Sequence, residues 1–354
     1  MKILLTGDTK LEIRQPAGSR DFARCYIRAL QAISEQEHIE INLATGERIE
    51  RLFLLVALSR KSTIIHCLTA GKDVFAAYAL SRLWNKPLVL SVHGHVSEAK
   101  DGARFDWRQR LYYYFYDKIL SQADAVTFPS PHFFDLVYQH VKCDKHKCFI
   151  VPNGVEEEYI TKARTKPLGR KIGIFGRWGK FVKARTKPFG RETDISNWQD
   201  KILMRRVQNL LELASGYDLS VMWVGIGDFL QSLNLPLLDA MPPVPREKVF
   251  ELIDECVVVA VPSLTESFSL VALQSMARGV PVLVSDKVGI SFLVNSYNAG
   301  LITNFDDVKR LKEDFENLIE GYATYSNNAI RCAKENSWTN VAKKFINIYR
   351  LFGN

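Results

Sequence analysis

The chain has 354 residues, 47% of them hydrophobic and 24% charged, a globular balance that does not indicate disorder and is long enough for two domains. Its 47 Lys and Arg against 39 Asp and Glu leave a net charge of +8, which favours polyanionic partners without choosing among nucleic acid, anionic membrane and phosphorylated substrates. No apolar run approaches the roughly 18 residues of a membrane span, the amino-terminal apolar run is too short for a signal peptide, and six cysteines scattered mostly in apolar segments suit reduced thiols, so a cytoplasmic protein is expected.

Strand-like apolar runs alternate with amphipathic stretches almost from end to end. Lys2–Thr6, Ile39–Leu43, Thr63–Cys67, Pro87–Val92, Ala125–Phe128 and Cys148–Val151 form a first set of expected strands, separated by helical patterns such as Phe22–Ile33, Val74–Trp84 and Phe105–Leu120. Lys171–Phe175, Leu219–Val224, Val257–Val261, Val282–Ser285 and Leu301–Thr303 form a second set. Such alternation predicts βαβ units and parallel sheets, hence an α/β fold of two doubly wound, Rossmann-like domains. The polar, proline-bearing stretch from Val155 to Arg170 reads as the linker, which divides the chain into domains 1–160 and 161–336. Within it, Lys162–Arg170 (KARTKPLGR) recurs at Lys183–Arg191 as KARTKPFGR. One duplication is too few for a solenoid, and the first copy reads slightly more as a solvated surface than as a phosphate contact.

In the first half, the strand in Pro87–Val92 leads to His93, near the carboxyl end where open α/β sheets place ligands. A lone histidine is more often structural, and the two readings are level here. His95 has no third ligand spaced near it, and the Cys143–Cys148 pair has no second cluster, so no metal site is expected. Arg104, Arg108, Arg110 and Lys118 are interleaved with Trp107 and a run of tyrosines, and positions 107, 111, 115 and 119 form one apolar face. Aromatics beside cations favour contact with an anionic membrane interface or a lipid diphosphate. Nucleic-acid binding rests on charge alone, with no readout motif.

Val257–Ser285 is the most informative stretch. Val257–Val261 is a β-branched run suited to a strand buried on both faces, Pro262-Ser263 breaks it, and Glu266 sits in the turn that follows. From Ser269 the apolar positions Leu270, Leu273 and Ala277 recur at helical spacing until Gly279, and Pro281 begins another strand. This unit aims a helix amino terminus, with its unpaired N–H groups and positive dipole end, at the crevice beyond the strand ends, where an anion is expected.

Residues 262–282 resemble the donor-site signature of the retaining GT-B glycosyltransferases of family 4, P-S-x-x-E-x-F-x-x-x-x-x-E-A-M-A-x-G-x-P-V. Pro262, Ser263, Glu266, Phe268, Met276, Ala277, Gly279, Pro281 and Val282 stand in place, and Gln274 replaces the second acidic residue. Gly176-Arg177 and Lys183 resemble the family's G-R-x-x-x-x-x-K-G, with Ala184 for the last glycine. Ser220–Asp228, with Gly225, resembles the strand and glycine turn beside the nucleotide base. Asn153-Gly154 matches P-N-G-V, and Gly18 stands where the family has a glycine pair.

The resemblance implies a GT-B fold whose two domains face a central cleft, with a last helix (337–354) crossing back to the first domain. It implies retaining transfer of a hexosyl group from a nucleotide-diphosphate sugar to a glycan or lipid-linked acceptor, in surface polysaccharide, glycolipid or glycoprotein biosynthesis. No metal or other cofactor is implied, and a peripheral membrane location is compatible. Glu266 and His93 would approach the sugar. Arg177 with Lys183, or Lys180 or Lys201 in its stead, would hold the diphosphate together with the amides of Ser269, Leu270 and Val271. Gln274 would meet the ribose, and Gly18, Asn153, Gly176 and Gly225 would complete the donor site. Gln274 keeps the shape of a carboxylate and can accept a hydrogen bond, but lacks the charge that strengthens one. Two alternatives stay open: a non-catalytic nucleotide-sugar or glycan-binding protein, which Gln274 favours, and a sugar-nucleotide 2-epimerase on the same scaffold, which needs acid–base carboxylates beyond Glu266.

Overall fold

The computed structural model describes residues 1–7, 18–46, 48–69, 71–94, 107–178, 198–226 and 235–352. The first elements are β1 (Lys2–Thr6), α1 (Gly18–Ile33), β2 (Glu40–Leu43), α2 (Arg48–Ser59), β3 (Ile64–Cys67), α3 (Asp73–Leu83), β4 (Leu88–Ser91), α4 (Trp107–Gln122), β5 (Ala125–Phe128), α5 (Pro131–Tyr138) and β6 (Cys148–Ile150). They are followed by β7 (Lys171–Trp178), α6 (Trp198–Ser215), β8 (Ser220–Ile226), β9 (Leu238–Met241), α7 (Arg246–Asp254), β10 (Cys256–Val261), α8 (Leu270–Ala277), β11 (Val282–Val284), α9 (Ser291–Tyr297), β12 (Gly300–Ile302), α10 (Val308–Glu320), α11 (Tyr322–Glu335) and α12 (Trp338–Arg350). Two compact units result: Met1–Glu156 with Asn336–Asn354, and Glu157–Glu335.

Each unit is built on a six-stranded sheet whose strand pairs are all parallel. The order is β2-β1-β3-β4-β5-β6 in the first and β12-β11-β10-β7-β8-β9 in the second. Both are doubly wound α/β arrangements, in which strand order reverses once and helices cover both faces. The continuous apolar runs follow from this double cover, since every residue of β3, β4, β5 and β10 is buried.

One core of the first unit joins α1 and α12 to the sheet through Phe22, Tyr26, Leu30, Phe345 and Tyr349. Helix α12 starts where Ser337 accepts a hydrogen bond from the Asn340 amide, and it buries Val341, Phe345, Ile348 and Tyr349 at helical spacing. A polar line crosses this apolar layer. The Tyr26 and Tyr349 hydroxyls are 2.5 Å apart, Tyr349 is 2.6 Å from His66 Nδ1, His66 Nε2 is 2.8 Å from Ser91 Oγ, and Ser91 is 2.8 Å from Thr127 Oγ1. Burial, with a smaller contribution from His93, pushes His66 down to about 3, so the ring is neutral and the line holds no net charge.

The elements depart from the sequence expectation at three places. Strand β7 runs on to Trp178 and β8 to Ile226, so Gly176-Arg177 and Gly225 lie within strands rather than in the loops after them. Strand β9 was not expected: Leu-Asp-Ala-Met carries no β-branched residue, and its half-buried edge position leaves little pattern. Helix α4 begins at Trp107 and runs to Gln122, beyond the expected Leu120.

Tyr349→Phe tests the polar line. It leaves His66 Nδ1 and the Tyr26 hydroxyl without their shared partner inside an apolar layer, and a loss of about 1–3 kcal/mol is expected from urea unfolding at neutral pH.

Candidate functional site

In an open parallel sheet, ligands bind outside the carboxyl ends of the strands where the order reverses. The second unit reverses between β7 and β10, which pair directly through Ile172–Val258 and Gly173–Val259. On the β7 side, Phe175 pairs with Val224 and Trp178 with Ile226, so Gly176 and Arg177 together oppose Gly225. This bulge adds one residue to β7 at its carboxyl end. Gly225 has φ +102°, a left-handed conformation that side chains resist.

On the β10 side, the turn from Pro262 to Ser269 presents Glu266. The Ser263 hydroxyl donates to Glu266 Oε1. The Glu266 amide donates to the Lys287 carbonyl at 3.2 Å, and its own carbonyl accepts from Gly289 at 2.9 Å, so its backbone is paired like a short strand. Ser285 Oγ donates to the Ser263 carbonyl at 2.6 Å. Glu266 keeps some contact with solvent, yet protein surrounds it densely; burial pushes its carboxyl up against the opposing effects of the Ser263 and Ser269 hydroxyls.

Ser269, just before α8, has φ +97° and ψ +89°, a strain of about 1–3 kcal/mol for a residue other than glycine. Its Oγ is buried with no partner in hydrogen-bonding geometry. The N–H groups of Leu270 and Val271 open α8 and have no intrahelical acceptor. Gln274 lies one turn further on, buried. The fold thus brings Gly176, Arg177, Gly225, Glu266, Ser269, Leu270, Val271 and Gln274 to one edge of one sheet. Backbone N–H groups, a helix dipole and a carboxyl at that edge can take an anion joined to a polyhydroxyl group.

Lys180, Lys183 and Arg104 fall outside the described residues, as do His95 and the second copy of the duplicated peptide, and Lys201 lies in the first turn of α6. His93 belongs to the first unit, two residues beyond β4. Its ring centroid is 3.9 Å from that of Phe22, its Nε2 is buried without a partner, and burial pushes it down to about 3, so it is neutral. Gly18 is the first residue of α1.

Asn153 is buried with its Oδ1 unpartnered. Its neighbour Gly154 is more than a turn residue, since a Cβ there would come within 2.6 Å of the Trp338 ring. Val155 pairs with the 336–338 segment beside it, its N–H donating to the Asn336 carbonyl at 3.1 Å and its carbonyl accepting from Trp338 N–H at 3.0 Å.

Helix α4 corrects the expected apolar face. Of positions 107, 111, 115 and 119 only Ile119 is buried, because Tyr112, Tyr116 and Leu120 make up the rest of the core contact, while Trp107 is 69% exposed and Leu111 and Phe115 face solvent. Arg108 lies over the Trp107 ring at 5.3 Å and Lys118 over Tyr114 at 4.9 Å, and Arg110 is exposed. A second stripe was not expected: Ile49, Leu52, Phe53 and Val56 on α2 are all exposed at helical spacing, and α2 and α4 both pack on α3.

The first copy of the duplicated peptide is not a solvated surface throughout. The Arg164 side chain is 9% exposed and bonds Asp254 Oδ1 at 2.5 Å and the Arg278 carbonyl at 2.9 Å, capping helix ends. Sequence reasoning also missed Arg206, Ser285 and Asp306, which hold the Glu266 turn; a pair of arginines in an amphipathic helix gives no sign of a partner 100 residues away. Among the described residues no group of three His, Cys, Asp or Glu could hold a metal, and no helix is long and apolar enough to cross a membrane.

Residues 17–159 match the family described as Glycosyltransferase Family 4, and residues 233–336 match the family described as Glycosyl transferases group 1. The D-inositol 3-phosphate glycosyltransferase of Corynebacterium diphtheriae is 23% identical over 304 residues, 77% of this chain and 67% of that protein. The one from Nocardioides sp. is 29% identical over 118 residues, 32% of this chain and 26% of that protein, so the match spans only about a quarter of its length. Among solved structures, sucrose-phosphate synthase from Thermosynechococcus elongatus aligns with a TM-score of 0.68 at 16% identity, covering 99% of this chain and 98% of that one. Anabaena HepE in complex with UDP and glucose aligns with a TM-score of 0.68 at 15% identity, covering 99% and 100%.

The raised Glu266 carboxyl predicts a stability effect with a definite sign. The folded form keeps the proton longer than the unfolded chain, so the site's contribution is fully present below the ordinary value of 4.5 and is lost as pH rises through the folded value. Glu266→Gln removes that loss. The variant is expected to melt higher than the parent at neutral pH and to approach it near pH 4, measured by thermal unfolding across that range without ligand.

Proposed function

The chain belongs to the GT-B glycosyltransferases, with glycosyltransferase family 4 in its first half and glycosyl transferases group 1 in its second, and on that premise we propose that it transfers a sugar from a nucleotide-diphosphate sugar, with retention, to a glycan or lipid-linked acceptor. The observation that carries the proposal is Glu266, a carboxyl held by Ser263 beyond β10, beside the amino terminus of α8 and across the strand-order reversal from Arg177. Structures of Anabaena HepE with UDP and with UDP-glucose favour a donor of that class.

Arg177, with one of Lys183, Lys180 or Lys201, and the amides of Ser269, Leu270 and Val271 take the diphosphate. Gln274 accepts from the ribose, and Glu266 accepts hydrogen bonds from the sugar hydroxyls. The acceptor oxygen attacks the anomeric carbon on the face from which the diphosphate departs. The carbon–oxygen bond to the diphosphate breaks, its electron pair passes to the diphosphate oxygen, and that oxygen takes the acceptor proton. No protein nucleophile is required. A guanidinium, an ammonium and a helix dipole stabilise the departing charge, so the step also proceeds without a metal.

Acceptor handling falls to the first unit. Exposed Trp107 with Arg108, Arg110 and Lys118 on α4, Arg104 just before it in sequence, and the apolar stripe of α2 suit peripheral contact with an anionic membrane, as synthesis of a surface polysaccharide or glycolipid requires. A second reading, a non-catalytic nucleotide-sugar binder, is favoured by Gln274 standing in place of the acid.

A thermal-shift panel of nucleoside diphosphates and their sugars identifies the donor, since a ligand at about 100 times its Kd stabilises by about 2.7 kcal/mol. With that donor, Glu266→Ala is expected to cut turnover by at least about 10²-fold and to keep the shift given by the nucleoside diphosphate alone. A parent protein that binds the donor but releases no nucleoside diphosphate with any acceptor would instead establish the binder. Vesicles containing anionic lipid are expected to retain the protein in co-sedimentation and neutral vesicles to leave it in solution; equal retention by both, or by neither, removes the membrane contact.

A further inference from the structure

Arg206 occupies the middle of α6, with its side chain 12% exposed. Its guanidinium reaches two elements at once. Nε and one terminal nitrogen bond Asp306 Oδ2 at 3.0 and 2.7 Å, while the other terminal nitrogen bonds the Pro262 carbonyl at 2.8 Å and the Ser263 carbonyl at 3.2 Å. Only a planar fork of donors can span a carboxylate and two carbonyls in this way, and the single ammonium of lysine cannot.

Asp306 is itself fixed. Arg205 binds its Oδ1 at 3.2 and 2.6 Å, its amide donates to Asn304 Oδ1 at 3.0 Å, and Asn209 holds the preceding Phe305 carbonyl at 2.8 Å. Burial works to raise the Asp306 carboxyl, but the hydrogen bonds from Arg206 and Arg205 outweigh it and hold the group below the usual carboxylate range. Asp306 is therefore ionised at every pH near neutrality, and the clamp keeps its charge.

The Ser263 carbonyl receives Arg206 and Ser285, and the hydroxyl of the same residue donates to Glu266. An unbroken set of contacts thus runs from Asp306 through Arg206 and Ser263 to the Glu266 carboxyl.

We propose that Arg206, clamped by Asp306, is the positioning residue of the site: it anchors the root of the Pro262–Ser269 turn and thereby sets where the Glu266 carboxyl meets the donor sugar. This deepens the transferase reading and rests on it. Arg206 acts on the sugar end of the donor alone, through Glu266. A nucleoside diphosphate lacks the transferred sugar, so its affinity reports the rest of the site.

Arg206→Met keeps most of the length and removes the fork. A misplacement of about 1 Å costs about 10²-fold in rate, so kcat is expected to fall at least about tenfold. The Kd for the nucleoside diphosphate should change by less than about twofold. Hydrogen exchange at the Glu266 amide should quicken, Asp306→Asn should act in the same direction, and Arg206→Lys should recover only part of the rate. The proposal is overturned if Arg206→Met turns over and exchanges like the parent, or if donor and nucleoside diphosphate lose affinity alike. Exchange is read without any activity. A parent without turnover thus defeats the transferase reading while exchange still decides whether Arg206 holds the turn, and Asp306→Asn carries the test if Arg206→Met does not fold.

Discussion

A parallel sheet aligns the carboxyl ends of all its strands along one edge, and that edge opens only where the strand order turns back on itself. In the second unit the turning point falls between β7 and β10, with β8 next to β7. Arg177, Gly225 and Glu266, far apart in the chain, become neighbours on one edge because each follows or ends one of these three strands. This edge needs little from the rest of the fold except that the strands stay buried and in register, and the unbroken apolar run of β10 secures that.

The turn beyond β10 departs from what local structure prefers. Burial raises the proton affinity of the Glu266 carboxyl despite the hydroxyl that Ser263 donates to it, and Ser269 takes up a left-handed conformation without being a glycine. Both features work against folding, and both persist because the surroundings over-determine them: the 287–289 segment pairs the Glu266 backbone, Ser285 and Arg206 hold the Ser263 carbonyl, and Asp306 holds Arg206. Such concentrated local unfavourability is the usual mark of a site kept for binding rather than for stability.

The first unit meets a different demand. Its α12 comes from the far end of the chain and must settle on the sheet in one register, yet burial of Phe345 and Ile348 is non-directional. The line from Tyr26 through Tyr349, His66 and Ser91 to Thr127 supplies direction, since a displaced helix would leave buried hydroxyls and an imidazole unpaired. The close approach of Trp338 to Gly154 closes the same helix at its start.

The amino-acid order by itself determined the α/β class, most strand positions and the stretch carrying Glu266, because strands buried on both faces read as apolar runs and a proline, a serine and a glycine punctuate the turn and helix. Tertiary structure decided the rest. That β7 carries an extra residue at Gly176-Arg177 depends on its pairing with β8, and that Trp107, Leu111 and Phe115 face outward depends on which side of α4 the sheet and α3 already occupy. The contacts of Arg206 with Asp306 and with the carbonyls of Pro262 and Ser263 leave no periodic trace, because hydrogen bonds between distant segments are set by where three elements converge in space and by nothing in their own local patterns.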